Sequence, residues 1–166
     1  MEGDILSNRL ENLRTVVERL IMEFQPGNRS YFVSHLYGVS EYAALLAFRR
    51  DMNPEISATC GMLHDIYQIT AGTTKDHAKK GAKVAKKVLI NTGLYNNEEI
   101  EIITTAIKRH SKKKKTHEPY DEILKDADVL SHQLYNTGFP IIKKDKLRYE
   151  SLLVELGCKP VVSYYD

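Results

Sequence analysis

The dipeptide His64-Asp65 closes an apolar stretch, with Gly61 and Met62 leading in and Leu63 and Ile66 flanking it. An ionised aspartate beside an imidazole suits a hydrophobic core only when something pairs with both. Two more polar residues stand in apolar surroundings: His35, with Val39, Ala43 and Leu46 near its face, and Asp128, whose helix carries Ile123, Leu124, Val129 and Leu130. Two imidazoles and two carboxylates are borderline-to-hard donors. They suit Mn²⁺, Fe²⁺, Co²⁺, Ni²⁺, Zn²⁺ or Mg²⁺ rather than soft copper or an iron–sulfur cluster. Two carboxylates balance a divalent charge and leave positions for water and a substrate oxygen. Such an ion polarises a phosphoryl oxygen and lowers the pKa of bound water from about 15.7 toward about 7, giving a nucleophile at neutral pH. Taken singly, each residue has an ordinary reading: a satisfied histidine, a capping aspartate, a chance dipeptide. Their conjunction, in this order and in these contexts, carries the signal.

The elements that must position them are helical. Residues 4–24 place Leu6, Leu10, Leu13, Val17, Leu20 and Phe24 on one stripe. Pro26 and Gly27 break it, and a second helix is expected from about Tyr31 to Arg50, with Ser30 as N-cap. Asn53 caps a third helix and Pro54 takes its first position. That helix ends near His64-Asp65, and residues 67–75 read as a loop. Adjacent residues on a helix diverge by about 100°, so the pair converges on one ion only across a helix end. Asp76 can cap a fourth helix, stopped by Gly93, with Ala78, Ala82, Ala85, Val88 and Leu89 on a narrow stripe opposite lysines. A fifth helix is capped by Asn96 or Asn97, a sixth opens at Pro119, and a last one spans about 144–156. The tail "PVVSYY" is the one short strand-like run. The expectation is an all-α single domain over residues 1–166, a bundle of about seven helices. Helix bundles build metal sites from inward-facing side chains on neighbouring helices.

His35, then "LHDI" at 63–66, then "DADVL" at 126–130 resembles the HD-domain superfamily of metal-dependent phosphohydrolases. The likeness covers about residues 30–135. It implies an all-α fold and a divalent ion, with a second in some members, held by His35, His64, Asp65 and Asp128; Asp126 is the fallback for the distal ligand. "DHAKKGAKVAKKVL" and "AIKRHS" resemble wider family elements that implicate His77 and His110 in a second metal or in phosphate contact. Each also has a plain alternative: His77 as a first-turn surface residue, His110 as a cation at a helix C-terminus. Asp65, His77 and His110 are the catalytic candidates. The family's "HD-x-G-K" is "HDIYQ" here, so Gln68 stands where a phosphate-contacting lysine often lies. No "GYP" element follows His110, which separates the chain from cyclic-dinucleotide phosphodiesterases of that subtype.

A source of charge lies elsewhere, in "KRHSKKKKTH" at 108–117. This loop either folds toward the site, with Lys112 beside the phosphate, or is a mobile solvated loop; the solvated reading is preferred. The net charge of +2 gives no global case for nucleic acid. Cys60 and Cys158 share no short motif and suit a reduced compartment. No leader peptide is visible in "MEGDILSNRL" and no run approaches the roughly 20 apolar residues of a membrane span, so a cytoplasmic protein is expected. The activity expected is hydrolysis of a phosphate monoester or phosphoanhydride, on a small nucleotide-like substrate that kinship suggests. The alternative is a non-catalytic metal- or nucleotide-binding module, and a third reading is a buried polar network without an ion. The amphipathic first helix suits either docking on the core or pairing into a homodimer.

Overall fold

The computed structural model describes residues 9–138 and 140–159, and no strand occurs among them. Helix α1 (Arg9–Phe24) buries Leu13, Val17 and Ile21 on one face. Phe24, expected on that stripe, is exposed, because Ile21 already fills the next core position four residues after Val17. Leu6 and the tail run 160–165 lie outside the described residues. Arg9 opens α1 from a buried position. Its guanidinium bonds Glu55, Glu99 and the Leu94 carbonyl, and lies 4.7 Å over the Tyr95 ring.

A 3₁₀ turn, Pro26–Asn28, leads into α2 (Arg29–Arg49). Ser30 is inside the helix rather than at its cap, and the preceding Asn28 makes no side-chain capping bond. Helix α3 (Pro54–Leu63) starts as expected, with the Asn53 side chain accepting from the N–H groups of Glu55 and Ile56. Every residue from Ile56 to Leu63 is buried, since α3 packs against α1, α2 and two later helices at once. Gly61 makes the α2–α3 crossing close. A Cβ there would lie 2.7 Å from both Cα and N of Ser40, and the Ser40 hydroxyl donates to the Ala58 carbonyl at 3.0 Å.

His64 and Asp65 form the joint between α3 and a short helix, α4 (Ile66–Ala71), where a loop was expected. Burial of Ile66 and Ile69 holds α4, whose own composition favours helix poorly. Gly72 ends it in the left-handed conformation, at φ 62°. Helix α5 (His77–Thr92) buries Ala78, Gly81, Ala82, Ala85 and Leu89. The expected Asp76 cap is absent: Asp76 is itself left-handed and makes no capping bond. Helix α6 (Asn97–Arg109) begins with a full capping box between Asn96 and Glu99. Helix α7 (Pro119–Tyr135) is buried from Ile123 to Ser131, and α8 (Lys146–Glu155) is shorter than expected. One apolar cluster runs from Leu13 on α1 to Leu152 on α8. Among the described residues, no helix is long and apolar enough to cross a membrane.

Candidate metal centre

His35 comes from the second turn of α2, His64 and Asp65 from the α3–α4 joint, and Asp128 from the middle of α7. The joint resolves the problem of adjacent residues. Because the helix breaks between Leu63 and Ile66, His64 Nε2 and Asp65 Oδ2 converge to 3.4 Å. His35 Nε2 lies 3.2 Å from His64 Nε2 and 3.7 Å from both Asp65 Oδ2 and Asp128 Oδ1. A second group adjoins the first. His77, at the start of α5, and His110, just past α6, bring their Nε2 atoms within 3.1 Å of each other. Asp65 Oδ1 is 3.6 Å from the first and 3.7 Å from the second. Asp65 therefore turns one oxygen to each histidine pair.

The rings are held by their other nitrogens. His64 Nδ1 lies 2.8 Å from the Gly61 carbonyl, His77 Nδ1 2.9 Å from that of Thr74, and His110 Nδ1 2.7 Å from that of Ile107. A carbonyl only accepts, so each Nδ1 is the donor and a neutral ring presents its Nε2 lone pair inward. This is the orientation that metal-binding histidines take. When both rings are neutral, His77 and His110 point two lone pairs at each other, a repulsive arrangement that a proton or a metal cation between them relieves. Asp65 Oδ1 and Asp128 Oδ1 are fully buried and accept no hydrogen bond. Such orphaned acceptors cost about 1–3 kcal/mol each unless something else satisfies them. Donor separations of 3.1–3.9 Å suit the edges of a polyhedron with metal–ligand bonds of about 2.1 Å. Among the described residues, the donor atoms of His35, His64 and Asp65 lie close enough to hold one divalent ion and those of Asp65, His77 and His110 a second, while Asp128 groups with His35 and His132 or with His64 and His110.

The electrostatics favour a cation here. Burial opposes ionisation of both aspartates, but His64, His35 and His110 around Asp65, and Lys113 and His64 around Asp128, hold both well below the usual carboxylate range. Burial works against charge on His64 too, yet Asp65 and Asp128 outweigh it and raise it to about 9. His110 goes the other way, down to about 4, through burial and the neighbouring His64 charge. It is a neutral ring in a buried position, not the exposed helix-end cation that its place in the sequence also allows.

The HD-domain family model matches residues 32–132, more than half of the chain. The chain belongs to the HD-domain family. Among solved structures, it is similar to a predicted HD superfamily hydrolase from an uncultured Thermotogales bacterium. The two share 24% identity over 86% of this chain and 88% of the other, with a TM-score of 0.60, a likeness of fold. No curated protein matches the sequence.

Around the HD-domain cluster opens a cavity of about 620 Å³, lined on one side by Tyr31, Gln68 and Thr74 and on the other by Lys112, Lys113 and Lys144. Gln68 and Lys112 both reach it. Asp126, the fallback ligand, faces away and is bonded by Arg50 and Arg148. The basic loop is largely exposed, as expected of a solvated segment, but it is anchored from below. Lys125, with no exposed surface, donates to the Lys115 carbonyl at 2.8 Å and to Glu122 and His117. Two site residues escaped the sequence reading. His132 lies on the same face of α7 as Asp128, one turn on; its Nδ1 donates to the Asp128 carbonyl at 3.0 Å and sits 3.1 Å from Oδ1. The i, i+4 spacing was the available signal. Lys113 pairs with Asp128 Oδ2 at 2.7 Å, and nothing local in a lysine run distinguishes it from its neighbours.

Proposed function

We propose that this chain is a metal-dependent phosphohydrolase that cleaves a phosphate monoester or phosphoanhydride of a small, nucleotide-like substrate. One observation carries the reading: Asp65 offers one oxygen to His35 and His64 and the other to His77 and His110. A carboxylate so placed could serve two divalent cations, which would supply charge stabilisation to the oxygens of phosphoryl transfer.

His35, His64, Asp65 and Asp128 would hold one ion; Asp65, His77 and His110 would hold a second. Bound divalent ions polarise a phosphoryl oxygen and acidify a water. Asp65, at the α3–α4 joint, presents Oδ2 to His35 and His64 and Oδ1 to His77 and His110 and so orients both groups toward one cavity. His77 and His110, with Nδ1 protons tied to carbonyls, accept charge only at Nε2. Gln68 and Lys112 line the cavity beside the reacting group and supply hydrogen bonds to its free oxygens. A cavity of about 620 Å³ is of the size that takes a nucleotide or similar molecule. The substrate is a small molecule met in the cytoplasm; neither nucleic acid nor a membrane is part of this reading.

The test is elemental analysis of protein purified without chelator, wild type beside Asp65→Asn and Asp128→Ala, followed by a phosphoester and nucleotide screen. Expected are near-stoichiometric metal in the wild type, its loss in both variants, and turnover that EDTA abolishes. Wild type that holds no metal even after incubation with Mn²⁺ or Co²⁺ overturns the reading. Metal bound with no product from any substrate would make the chain a binding module instead.

A further inference from the structure

Position 68 lacks the cation that a phosphate-cleaving site needs, and the structure offers one from another element. We propose that Lys113 is the residue that grips the substrate's phosphoryl group, an inference that rests on the phosphohydrolase reading above.

Three observations converge on it. The Lys113 ammonium reaches inward to 2.7 Å from Asp128 Oδ2, with its side chain only 17% exposed. Asp128 thereby divides its oxygens: Oδ2 to the lysine, the orphaned Oδ1 to the histidine cluster. The lysine stands one carboxylate away from the metal ligands and lines the same cavity as Gln68. An ammonium carries three donors, and Asp128 uses one.

The second observation is that its place is built. Arg148, on α8, donates to the Lys113 carbonyl at 2.9 Å while also bonding Asp126 and Glu122. Two residues on, the buried Lys125 holds the Lys115 carbonyl. The turn is closed internally by Lys112 N–H to the Arg109 carbonyl and Lys115 N–H to that of Lys112. Burying one ammonium and half a guanidinium to hold a surface loop is costly unless the loop's position matters. Of the four consecutive lysines, Lys113 is the half-buried one and its neighbours are exposed.

The third is the chemistry of the gap. Gln68 donates a hydrogen bond without charge, whereas the oxygens of a phosphoryl group in transfer gather negative charge that a fixed cation stabilises. Lys113 provides that charge from the α6–α7 loop, on the Asp128 side of the cavity.

The experiment compares wild type, Lys113→Gln and Lys113→Arg after loading with Mn²⁺, measuring metal per chain by elemental analysis and inorganic phosphate affinity by calorimetry. Expected is equal metal in all three, phosphate bound at least ~10-fold more weakly by Lys113→Gln, and most of that loss recovered in Lys113→Arg. Phosphate affinity unchanged in Lys113→Gln overturns the proposal, as does wild type that takes metal but no phosphate. Loss of metal in Lys113→Gln also overturns it, since the lysine would then act only by holding Asp128. Wild type without metal sinks the phosphohydrolase reading and this one with it, and the metal analysis alone tells that failure from the others.

Discussion

Replacing Gly61 by alanine should damage both the fold and the metal centre, and the structure sets the scale of each. The new methyl would meet Ser40 Cα and N at 2.7 Å and Val39 C at 2.8 Å. All three are backbone atoms of α2, with no rotamer to change. Restoring ordinary contact near 3.4 Å requires α3 to move off α2 by about 0.7 Å. Overpacking of this kind costs about 1–3 kcal/mol, and strain on the Ser40–Ala58 bond adds about 1. Higher helix propensity returns about 1 kcal/mol, so the net loss is about 2 kcal/mol. For a chain of this size that lowers Tm by roughly 4–8 °C. The second effect falls on chemistry. His64 follows Gly61 by three residues and its ring is tied to the Gly61 carbonyl, while His35 rides on α2. The same 0.7 Å therefore separates two ligands, where metal sites tolerate only about 0.2 Å in bond length. Thermal unfolding without metal, and Mn²⁺ titration of the folded variant at low temperature, measure the two effects separately. Tm within about 1 °C of wild type, together with unchanged metal affinity, would refute the close-approach argument.

Glu155, bonded by Arg50, titrates below the ordinary carboxylate value, and so does Glu122, where Lys125, the His117 N–H and Arg148 outweigh the cost of burial. Since the folded values lie below the unfolded ones, their contribution is complete above about pH 4.5 and lost as pH falls further. Tm should hold between pH 6 and about pH 5 and drop as pH falls from there to about pH 3, with a shallower slope in Arg148→Met; parallel slopes would show that the network adds nothing. Cys60 is buried and its thiol is pushed up by desolvation, whereas Cys158 is exposed. A thiol reagent should titrate one cysteine in native protein and two in denaturant, and rapid labelling of both without denaturant would contradict the buried position.

What could be seen in the residues beforehand was what local chemistry decides. Asn53-Pro54 and the Asn96–Glu99 box start helices through bonds spanning two or three residues, so the letters alone announce them. Helix α4 escaped because Tyr67, Ile69 and Thr70 favour strands, and only burial of Ile66 and Ile69 in a core assembled from distant segments makes it helical. The ligand candidates stood out as polar residues in apolar runs. The choice between Asp126 and Asp128 depended on Arg50 and Arg148, which lie 76 and 22 residues from Asp126. Lys113 was hidden for the same reason: Asp128 and Arg148 select it from a run of four lysines, and both are remote in the chain.

The family's shared region ends at residue 132, yet Arg148 reaches back from α8 to hold the carbonyl of Lys113. The C-terminal helix thus steadies the lysine's loop from beyond the region that the family model matches. Substitutions along α8 would act on the lysine through Arg148, which touches none of the histidines of the cluster. Selectivity among phosphorylated compounds could diverge there between related chains, or be engineered there, without disturbing the histidine–aspartate cluster itself.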